Sequence, residues 1–255
     1  MTEEATYRDS HAAEGYGSRY DSNYSSGYYA AIYREIEVPT LDGLFSALSE
    51  GGRDTLLDFA CGTGRITRLA VPHFGRVVGV DVSEAMLRNA ETNAPGAQYV
   101  RQDLTKKPLG EKFSVITAFR FFLNAEQGLR LQALAAIREH MAPNGRLVCN
   151  IHMNSRSIMG GVYGLARLVP GVTSHNTLSY RQFEEILAKS GFVVEKVIWY
   201  GMTPRPGRLF GRFLDRSVGP IERFLKSIGL TGPLAHSFIV VARLADSDPQ
   251  TAHPA

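Results

Sequence analysis

The sequence lacks the cysteine patterns, metal-ligand spacings and high net charge that identify several common classes of protein. Its 255 residues include two cysteines, Cys61 and Cys149, whose spacing fits neither a disulfide framework nor a zinc site. The seven histidines are scattered, with no His-x-x-x-His pair, so we expect no bound metal. The net charge of +3 is too small to indicate a nucleic-acid-binding surface, and we expect no nucleic-acid partner.

Long apolar runs are also missing. The longest are of strand length, which predicts no membrane-spanning segment. The first five residues are acidic and carry no apolar stretch of the kind found in a secretory signal. With 44% hydrophobic residues the chain is able to form a full core. We therefore expect a globular cytoplasmic protein whose two cysteines remain reduced in the core of a sheet.

One stretch organises the rest of the chain. The apolar run 55–59 is followed by Ala60, Gly62 and Gly64, and then by an amphipathic helical pattern. A doubly wound sheet forms its ligand-binding loop in this way, at the carboxyl end of its first strand. A second apolar run ends in Asp81, whose carboxylate can accept hydrogen bonds from both hydroxyls of a ribose. The pattern predicts a nucleoside ligand.

Two kinds of nucleoside compete for this loop. A nicotinamide or flavin dinucleotide favours a third glycine where this chain has Thr67, because its pyrophosphate lies against the start of the helix. The carboxylate of Asp58 precedes the loop, and it would repel a pyrophosphate but attract a sulfonium group.

The pattern Asp58-x-Ala60-x-Gly62-x-Gly64 resembles motif I of the class I S-adenosylmethionine-dependent methyltransferases. The segment 79–87 is similar to the second motif of that family. The resemblance implies a Rossmann-like, doubly wound α/β fold with a seven-stranded, mostly parallel sheet, an antiparallel last strand and cap insertions. It also implies S-adenosylmethionine as the cofactor.

Twelve residues are predicted to bind the cofactor, with Asp81 on the ribose and Asp103 on the adenine. The alternative for Asp103 is a turn cap. Tyr20, with Asp21, resembles a pair that the family often carries in an N-terminal arm. The set is Tyr20, Asp58, Ala60, Gly62, Gly64, Asp81, Val82, Met86, Gln102, Asp103, Leu104 and Phe119.

Regular alternation of strand and helix patterns begins at residue 54 and indicates parallel pairing. Residues 1–53 are predicted to form an arm and a helical lid, with a helix at 28–50 interrupted near Pro39. Residues 54–244 are predicted to form the methyltransferase domain. Its insertions 155–178 and 203–233 are predicted to cap the acceptor, the second as two short helices separated at Gly219 and Pro220. Residues 245–255 are expected to be a disordered tail.

The ends of the fourth and fifth strands are expected to face the acceptor. The predicted acceptor-binding residues are Arg120, Asn124, Asn154 and His175. For Arg120 a contact with the cofactor's carboxylate is the alternative. His152 lies on one strand face with residues 150 and 154, which makes it the candidate general base; the alternative is a hydrogen-bonded structural histidine.

These observations predict O-methylation of a small hydroxylated acceptor, such as a sugar or a natural product. Two alternatives stay open: an acceptor that is a lipid or is linked to one at a membrane surface, and a catalytically silent cofactor-binding subunit. Segment 203–233 carries six basic and two acidic residues on an amphipathic pattern. Such a segment indicates peripheral membrane contact, a dimer contact or a plain cap.

Overall fold

The computed structural model describes residues 28–166, 176–203 and 211–245. Its centre is a seven-stranded sheet in the order β3-β2-β1-β4-β5-β7-β6. The strands are β1 Thr55–Phe59, β2 Arg76–Asp81, β3 Gln98–Arg101, β4 Phe113–Ala118, β5 Met141–Ile151, β6 Phe192–Tyr200 and β7 Ser237–Leu244.

The helices of the described residues follow the strands in the order that the sequence predicts. They are α1 Tyr28–Ile32, a π-helical turn Tyr33–Glu37, α2 Val38–Glu50, α3 Arg65–Ala70, α4 Glu84–Asn93, α5 Gln127–His140, α6 Ile158–Ala166, α7 Tyr180–Lys189 and α8 Gly211–Ser227. Two of them begin at a serine cap: Ser83 accepts from Met86 N, and Ser179 forms a capping box with Gln182.

The pairing confirms the predicted fold class. β1 pairs in parallel with β2 and β4, and β5 extends the parallel set from β4. β7 runs antiparallel to both β5 and β6, between which it lies. The chain therefore forms the mostly parallel sheet with an antiparallel last strand that the sequence predicts.

The sheet is buried on both faces, which explains why its strands are continuously apolar. Leu56 and Leu57 are adjacent in β1 and fully buried, yet they belong to different core clusters because successive side chains point to opposite faces. Phe122 and Leu123 lie in the core. Both cysteines are buried free thiols, Cys149 in β5 and Cys61 just after β1.

The interruption predicted near Pro39 takes the form of a π-helical turn. Val38 donates its N–H to Tyr33 O, the i to i+5 bond of a π-helix, and Pro39 follows as the second residue of α2. Because proline has no N–H to donate to the preceding turn, a regular α-helix would already lack one hydrogen bond here. The wider π-helical turn therefore removes few further hydrogen bonds. Its last residue, Glu37, is turned into the protein and is 1% exposed.

One predicted boundary is wrong. Segment 211–227 is a single helix, α8, with Pro220 inside it, whereas the sequence predicts two short helices. The prediction treats the glycine and the proline as a break, but the helix continues through both. β5 pairs with β4 at Met141 and again from Arg146, so residues 142–145 form a bulge in which Asn144 takes a φ of 59°.

Candidate functional site

The loop after β1 places its backbone in a crevice at the carboxyl edge of the sheet. Ala60, Gly62 and Gly64 have φ values of 55°, 56° and 79°. A Cβ built on Gly62 meets nothing within 4 Å, so this glycine borders open space. A Cβ on Gly64 would lie 3.1 Å from the Cα and Cβ of Ala90, because α3 and α4 pack closely there. The first glycine thus leaves room for a ligand, while the second permits helix packing.

Asp81 joins the two predicted motifs. Its Oδ2 accepts from Gly62 N over 2.9 Å, and its Oδ1 accepts from Ser83 N over 2.9 Å. These bonds fix the carboxylate of Asp81 at the end of β2, beside the glycine loop, and the residue remains partly exposed. The position is the one from which the predicted contact with a ribose would be made.

Asp58 has a structural role that the sequence does not predict. It is 1% exposed and accepts from the hydroxyls of Thr67, over 2.6 Å, and Thr117, over 2.7 Å. Burial raises its pKa from the ordinary 3.8 to about 6, against the lowering effect of the two hydroxyls. The carboxylate therefore joins α3 to β4 inside the protein. This position corrects the expectation that Asp58 attracts a sulfonium group directly.

The residues predicted around an adenine gather after β3. Asp103 Oδ1 accepts from Thr105 N and Thr105 Oγ1, which is the turn cap that the sequence leaves as an alternative. Gln102 donates to the carbonyls of Lys107 and Pro108. Other members of the predicted set flank the same edge. Val82 follows β2, and its carbonyl accepts from Arg101. Met86 and Leu104 are buried, and Phe119 is 9% exposed at the end of β4. Contact of this group with a cofactor stays a prediction.

A buried polar cluster occupies the acceptor side of the same edge. Glu37 Oε1 accepts from Tyr200 Oη over 2.7 Å and from Arg120 Nη2 over 3.4 Å. Arg65 Nη2 lies 3.6 Å from Glu37 Oε2. Asn150 completes the cluster, since its Nδ2 donates to Tyr200 Oη and its Oδ1 accepts from Arg120 N. The cluster joins the π-helical turn, α3 and the ends of β4, β5 and β6.

Arg120 has a backbone φ of 57°, an uncommon value for a residue other than glycine. The hydrogen bond from its N–H to Asn150, 2.7 Å long, holds this conformation. Its guanidinium points toward the π-helical turn and is largely buried. The predicted neighbour Asn124 is exposed and donates its Nδ2 to Arg120 O. Arg120 therefore lies in the predicted region, with Asn124 fixing its carbonyl.

His152 follows β5 at the same edge. The residue is partly exposed, but its Nδ1 is buried and has no hydrogen-bond partner among the residues that the structure describes. Burial lowers the pKa of His152 well below its ordinary value, and the nearby charges of Arg120, His236 and Arg65 lower it further. The imidazole is therefore neutral at physiological pH, and the same burial and positive charges oppose its protonation. The alternative, a hydrogen-bonded structural histidine, finds no support at Nδ1.

Asn154 has a structural role in place of the predicted acceptor contact. It is 1% exposed, and its Nδ2 donates to the carbonyls of Pro233 and Ala235. Its Oδ1 accepts from Arg156 N. Since both amide protons are used, the side chain connects β5 to the chain before β7. Tyr20 and His175, the two remaining predicted site residues, lie outside the described residues.

Sequence reasoning missed Glu37, Tyr200 and Arg65 as members of this site. Tyr200 ends β6, so the strand-end argument applied to His152 would have found it. Glu37 and Arg65 lie on helical segments with no distinctive spacing. No group of three or more histidine, cysteine, aspartate or glutamate side chains that could hold a metal ion occurs among the described residues.

Comparison with known proteins identifies the central part of the chain. Residues 56–145 match the family model described as a methyltransferase domain. The chain is 36% identical over 97 residues to dTDP-3-amino-3,4,6-trideoxy-alpha-D-glucopyranose N,N-dimethyltransferase of Streptomyces venezuelae, covering 37% of this chain and 40% of that protein. It is 31% identical over 106 residues to demethylmenaquinone methyltransferase of Symbiobacterium thermophilum, covering 38% and 41%. The chain thus spans about two fifths of the length of these curated relatives.

A solved structure shares the fold over nearly the whole chain. The crystal structure of magnesium protoporphyrin IX methyltransferase from Synechocystis PCC 6803 with bound SAH superposes with a TM-score of 0.64. The superposition covers 94% of this chain and 98% of that one, at 16% sequence identity. Glu37, His152 and Tyr200 all lie outside the residues that match the family model.

Proposed function

Because the chain belongs to the class I S-adenosylmethionine-dependent methyltransferases, we propose that it O-methylates a small hydroxylated molecule, such as a sugar or a natural product. The observation that carries the proposal is His152, a neutral imidazole with a buried, unpartnered Nδ1 at the acceptor side of the sheet edge. A hydroxyl must lose its proton when it is methylated, and a positioned imidazole can accept it.

The residues of the crevice fit the family's cofactor, S-adenosylmethionine. Gly62 leaves open space in front of the loop, and the carboxylate of Asp81 stands beside it to accept from a ribose. We assign the adenine end to Gln102, Asp103 and Leu104, with Asp103 keeping one oxygen on Thr105. When bound, the cofactor supplies an electrophilic methyl group on a sulfonium.

His152 and the arginines beside it have complementary roles in this proposal. The imidazole is neutral over the physiological range, so it offers a lone pair to the hydroxyl of an acceptor, although burial and the two arginines oppose its protonation. Arg120 and Arg65 act on His152 as positive charges, and the same charges stabilise an oxyanion that develops next to it. The proposed acceptor site lies beside the π-helical turn that carries Glu37.

Turnover in a His152 variant tests this assignment. The experiment measures formation of S-adenosylhomocysteine from a panel of sugars and phenolic natural products. With the best acceptor, His152→Ala should lose turnover by roughly 10²–10⁴-fold while affinity for S-adenosylmethionine is kept. His73→Ala serves as the matched control, since this partly exposed histidine bonds to Asp42, away from the site. Equal turnover in the two variants would remove His152 from the reaction.

Methylation at nitrogen is a second candidate. It is favoured by the relatives from Streptomyces, whose names describe N,N-dimethylation of amino sugars. The positive charges of Arg120 and Arg65 disfavour binding of a protonated amine, which is why we place oxygen first. An amino sugar and its hydroxyl counterpart, offered together, distinguish the two. A product that carries the new methyl group only on nitrogen would show that the protein is an N-methyltransferase.

A catalytically silent cofactor-binding subunit is the rival outside the enzymes. Such a subunit would bind S-adenosylmethionine and give no turnover with any acceptor unless a partner protein is added.

We propose that the protein is located in the cytoplasm, because both cysteines are free thiols in the core. No helix of the described residues is long and apolar enough to cross a membrane.

A further inference from the structure

Exposed apolar side chains are concentrated on the two cap segments. Of the ten large hydrophobic residues exposed among the described residues, eight lie on α6, on α8 and on the chain that follows α8. The other two, Leu131 and Val193, lie elsewhere. We call the eight the apolar cap face: Ile158, Val162, Leu165, Ile221, Phe224, Ile228, Leu230 and Leu234. Concentrated apolar exposure of this kind marks an interaction surface.

The spacing of these residues gives each helix an outward apolar stripe. On α6 the exposed residues recur at intervals of four and three, from Ile158 to Leu165, and on α8 the intervals from Ile221 to Ile228 are three and four. Such intervals place side chains on one side of a helix. The opposite side of α8 packs on the protein through Val218 and Glu222, which are buried. The apolar stripes are therefore not the sides by which α8 is attached.

Hydrogen bonds connect the two cap segments. Asn154, four residues before α6 begins, donates to the carbonyls of Pro233 and Ala235, which flank Leu234. Asn154 N also donates to His236 O over 2.8 Å. These bonds fix the start of α6 beside the chain after α8, which carries the exposed Leu234.

The exposed charged side chains of these two segments have one sign, while Glu35, a partly exposed acid on the neighbouring π-helical turn, lies beside Arg223. In the ranges 152–165 and 217–236, the exposed charged side chains are Arg156, Arg223 and Lys226, all of them basic. The acid in these ranges, Glu222, is buried and accepts from Gly201 N and Thr203 N. Arg223 is 64% exposed although it lies 3.6 Å from Glu35. The surface thus combines apolar side chains with positive charge.

We propose that the apolar cap face docks on an anionic lipid surface. Apolar side chains enter the boundary between headgroups and acyl chains, while lysine and arginine stay at the level of the anionic headgroups. A second copy of the chain is a poorer partner, because it would bring the same basic residues into contact with each other. α8 also packs on the π-helical turn that carries Glu37, so a docked protein would hold its acceptor site close to the lipid. The proposal stands independently of which acceptor atom is methylated.

Vesicle flotation with purified full-length protein tests the proposal. The probes are vesicles of phosphatidylcholine alone and vesicles of phosphatidylcholine mixed with phosphatidylglycerol. Wild-type protein should float with the anionic vesicles, more weakly with the neutral ones, and less as salt is raised. Phe224→Ser should weaken partitioning about tenfold or more, since a phenyl ring no longer enters the lipid. Leu131→Ser is the matched control, an exposed apolar residue at 45% that lies outside the face.

A charge variant completes the test. Lys226→Gln should weaken flotation on anionic vesicles by about fivefold and leave neutral vesicles unaffected. Arg181→Gln, whose side chain is 80% exposed on α7, is its control. Affinity for S-adenosylmethionine shows that each variant is folded. Absence of wild-type flotation, or equal losses in Phe224→Ser and Leu131→Ser, would overturn the proposal. So would a monomeric Phe224→Ser beside a dimeric wild type, which would make the face an interface between copies.

Discussion

Tyr200 donates its hydroxyl to Glu37 Oε1 over 2.7 Å, across 163 positions of sequence. This bond connects the end of β6 to the π-helical turn in front of the crevice. Both groups are buried, and burial together with the charge of Glu37 raises the pKa of Tyr200 well above its ordinary value. The tyrosine therefore keeps its proton and serves as a permanent donor to the carboxylate.

Tyr200→Phe should lower the free energy of unfolding by about 1–3 kcal/mol, because it removes a hydrogen bond from a buried carboxylate. Denaturant unfolding measures the change. Tyr99→Phe is the matched control: its hydroxyl is only partly buried and donates to a neutral carbonyl, that of Ala94, over 3.0 Å. There the expected loss is about 0.5–1.5 kcal/mol. A smaller loss in Tyr200→Phe than in Tyr99→Phe would contradict the importance of the Glu37 bond.

The pH dependence of His152 has a defined sign. Its folded pKa is lowered, so at acidic pH the unfolded chain binds a proton that the folded protein does not. This contribution to stability is present above the unfolded pKa of about 6.5 and is lost as pH falls below it. His152→Ala should therefore flatten the stability profile between about pH 7 and 5, measured by denaturant unfolding.

Asp81→Asn should weaken binding of S-adenosylmethionine by about 1.5–3 kcal/mol, because a charged acceptor for the ribose becomes a neutral amide. The loss also includes the bonds from Gly62 N and Ser83 N, which the carboxylate accepts in the free protein. Calorimetric titration measures it. Asp54→Asn is the control: Asp54 likewise accepts a backbone N–H, from Gly75, but lies away from the crevice. Unchanged affinity in Asp81→Asn would remove it from the cofactor site.

Gly64→Ala and Gly52→Ala separate backbone strain from packing. Both glycines have a φ of 79°, so alanine costs about 1–2 kcal/mol at each. A Cβ on Gly52 meets nothing within 4 Å, whereas one on Gly64 lies 3.1 Å from two atoms of Ala90. Gly64→Ala should therefore be less stable by roughly a further 1–3 kcal/mol in denaturant unfolding. Equal losses would show that α3 can move away from α4 at no cost.

Local sequence patterns predicted the central sheet of this protein well, because each strand has its own recognisable apolar pattern. Strand-length apolar runs predicted the strands, and the first two of them lead to the carboxyl edge where Gly62 and Asp81 meet. The fold follows from these runs, since buried parallel strands need no long-range information to be recognised.

The acceptor side was harder to predict because its contacts are long-range. Glu37 is one acid among many on helical segments until folding brings Tyr200 and Arg120 to it. Asp58 shows the reverse error: its place in the motif suggested contact with a ligand, but two threonine hydroxyls, one of them 59 positions away, hold it inside the protein. Pro220 suggested a helix end that the packing of α8 overrides.

Asp58 allows a sharp test of the balance between burial and hydrogen bonding. Burial raises its pKa from 3.8 to about 6, which corresponds to about 3 kcal/mol against the ionised form. Since the folded pKa of this acid is raised, its contribution to stability is greatest below about pH 4 and is lost as pH rises to about 6. At pH 7 the protein carries the full cost of the buried charge.

Asp58→Asn should therefore stabilise the protein at pH 7 by up to about 3 kcal/mol, and the gain should disappear near pH 4. The amide keeps the shape of the carboxylate, and one threonine hydroxyl, on Thr67 or Thr117, turns to accept from it. Denaturant unfolding at both pH values measures the change, with the exposed Asp54→Asn as the control that should show no such gain. Destabilisation at pH 7 would mean that the two threonine bonds outweigh burial, and that Asp58 is held as a fully ionised group in the folded protein.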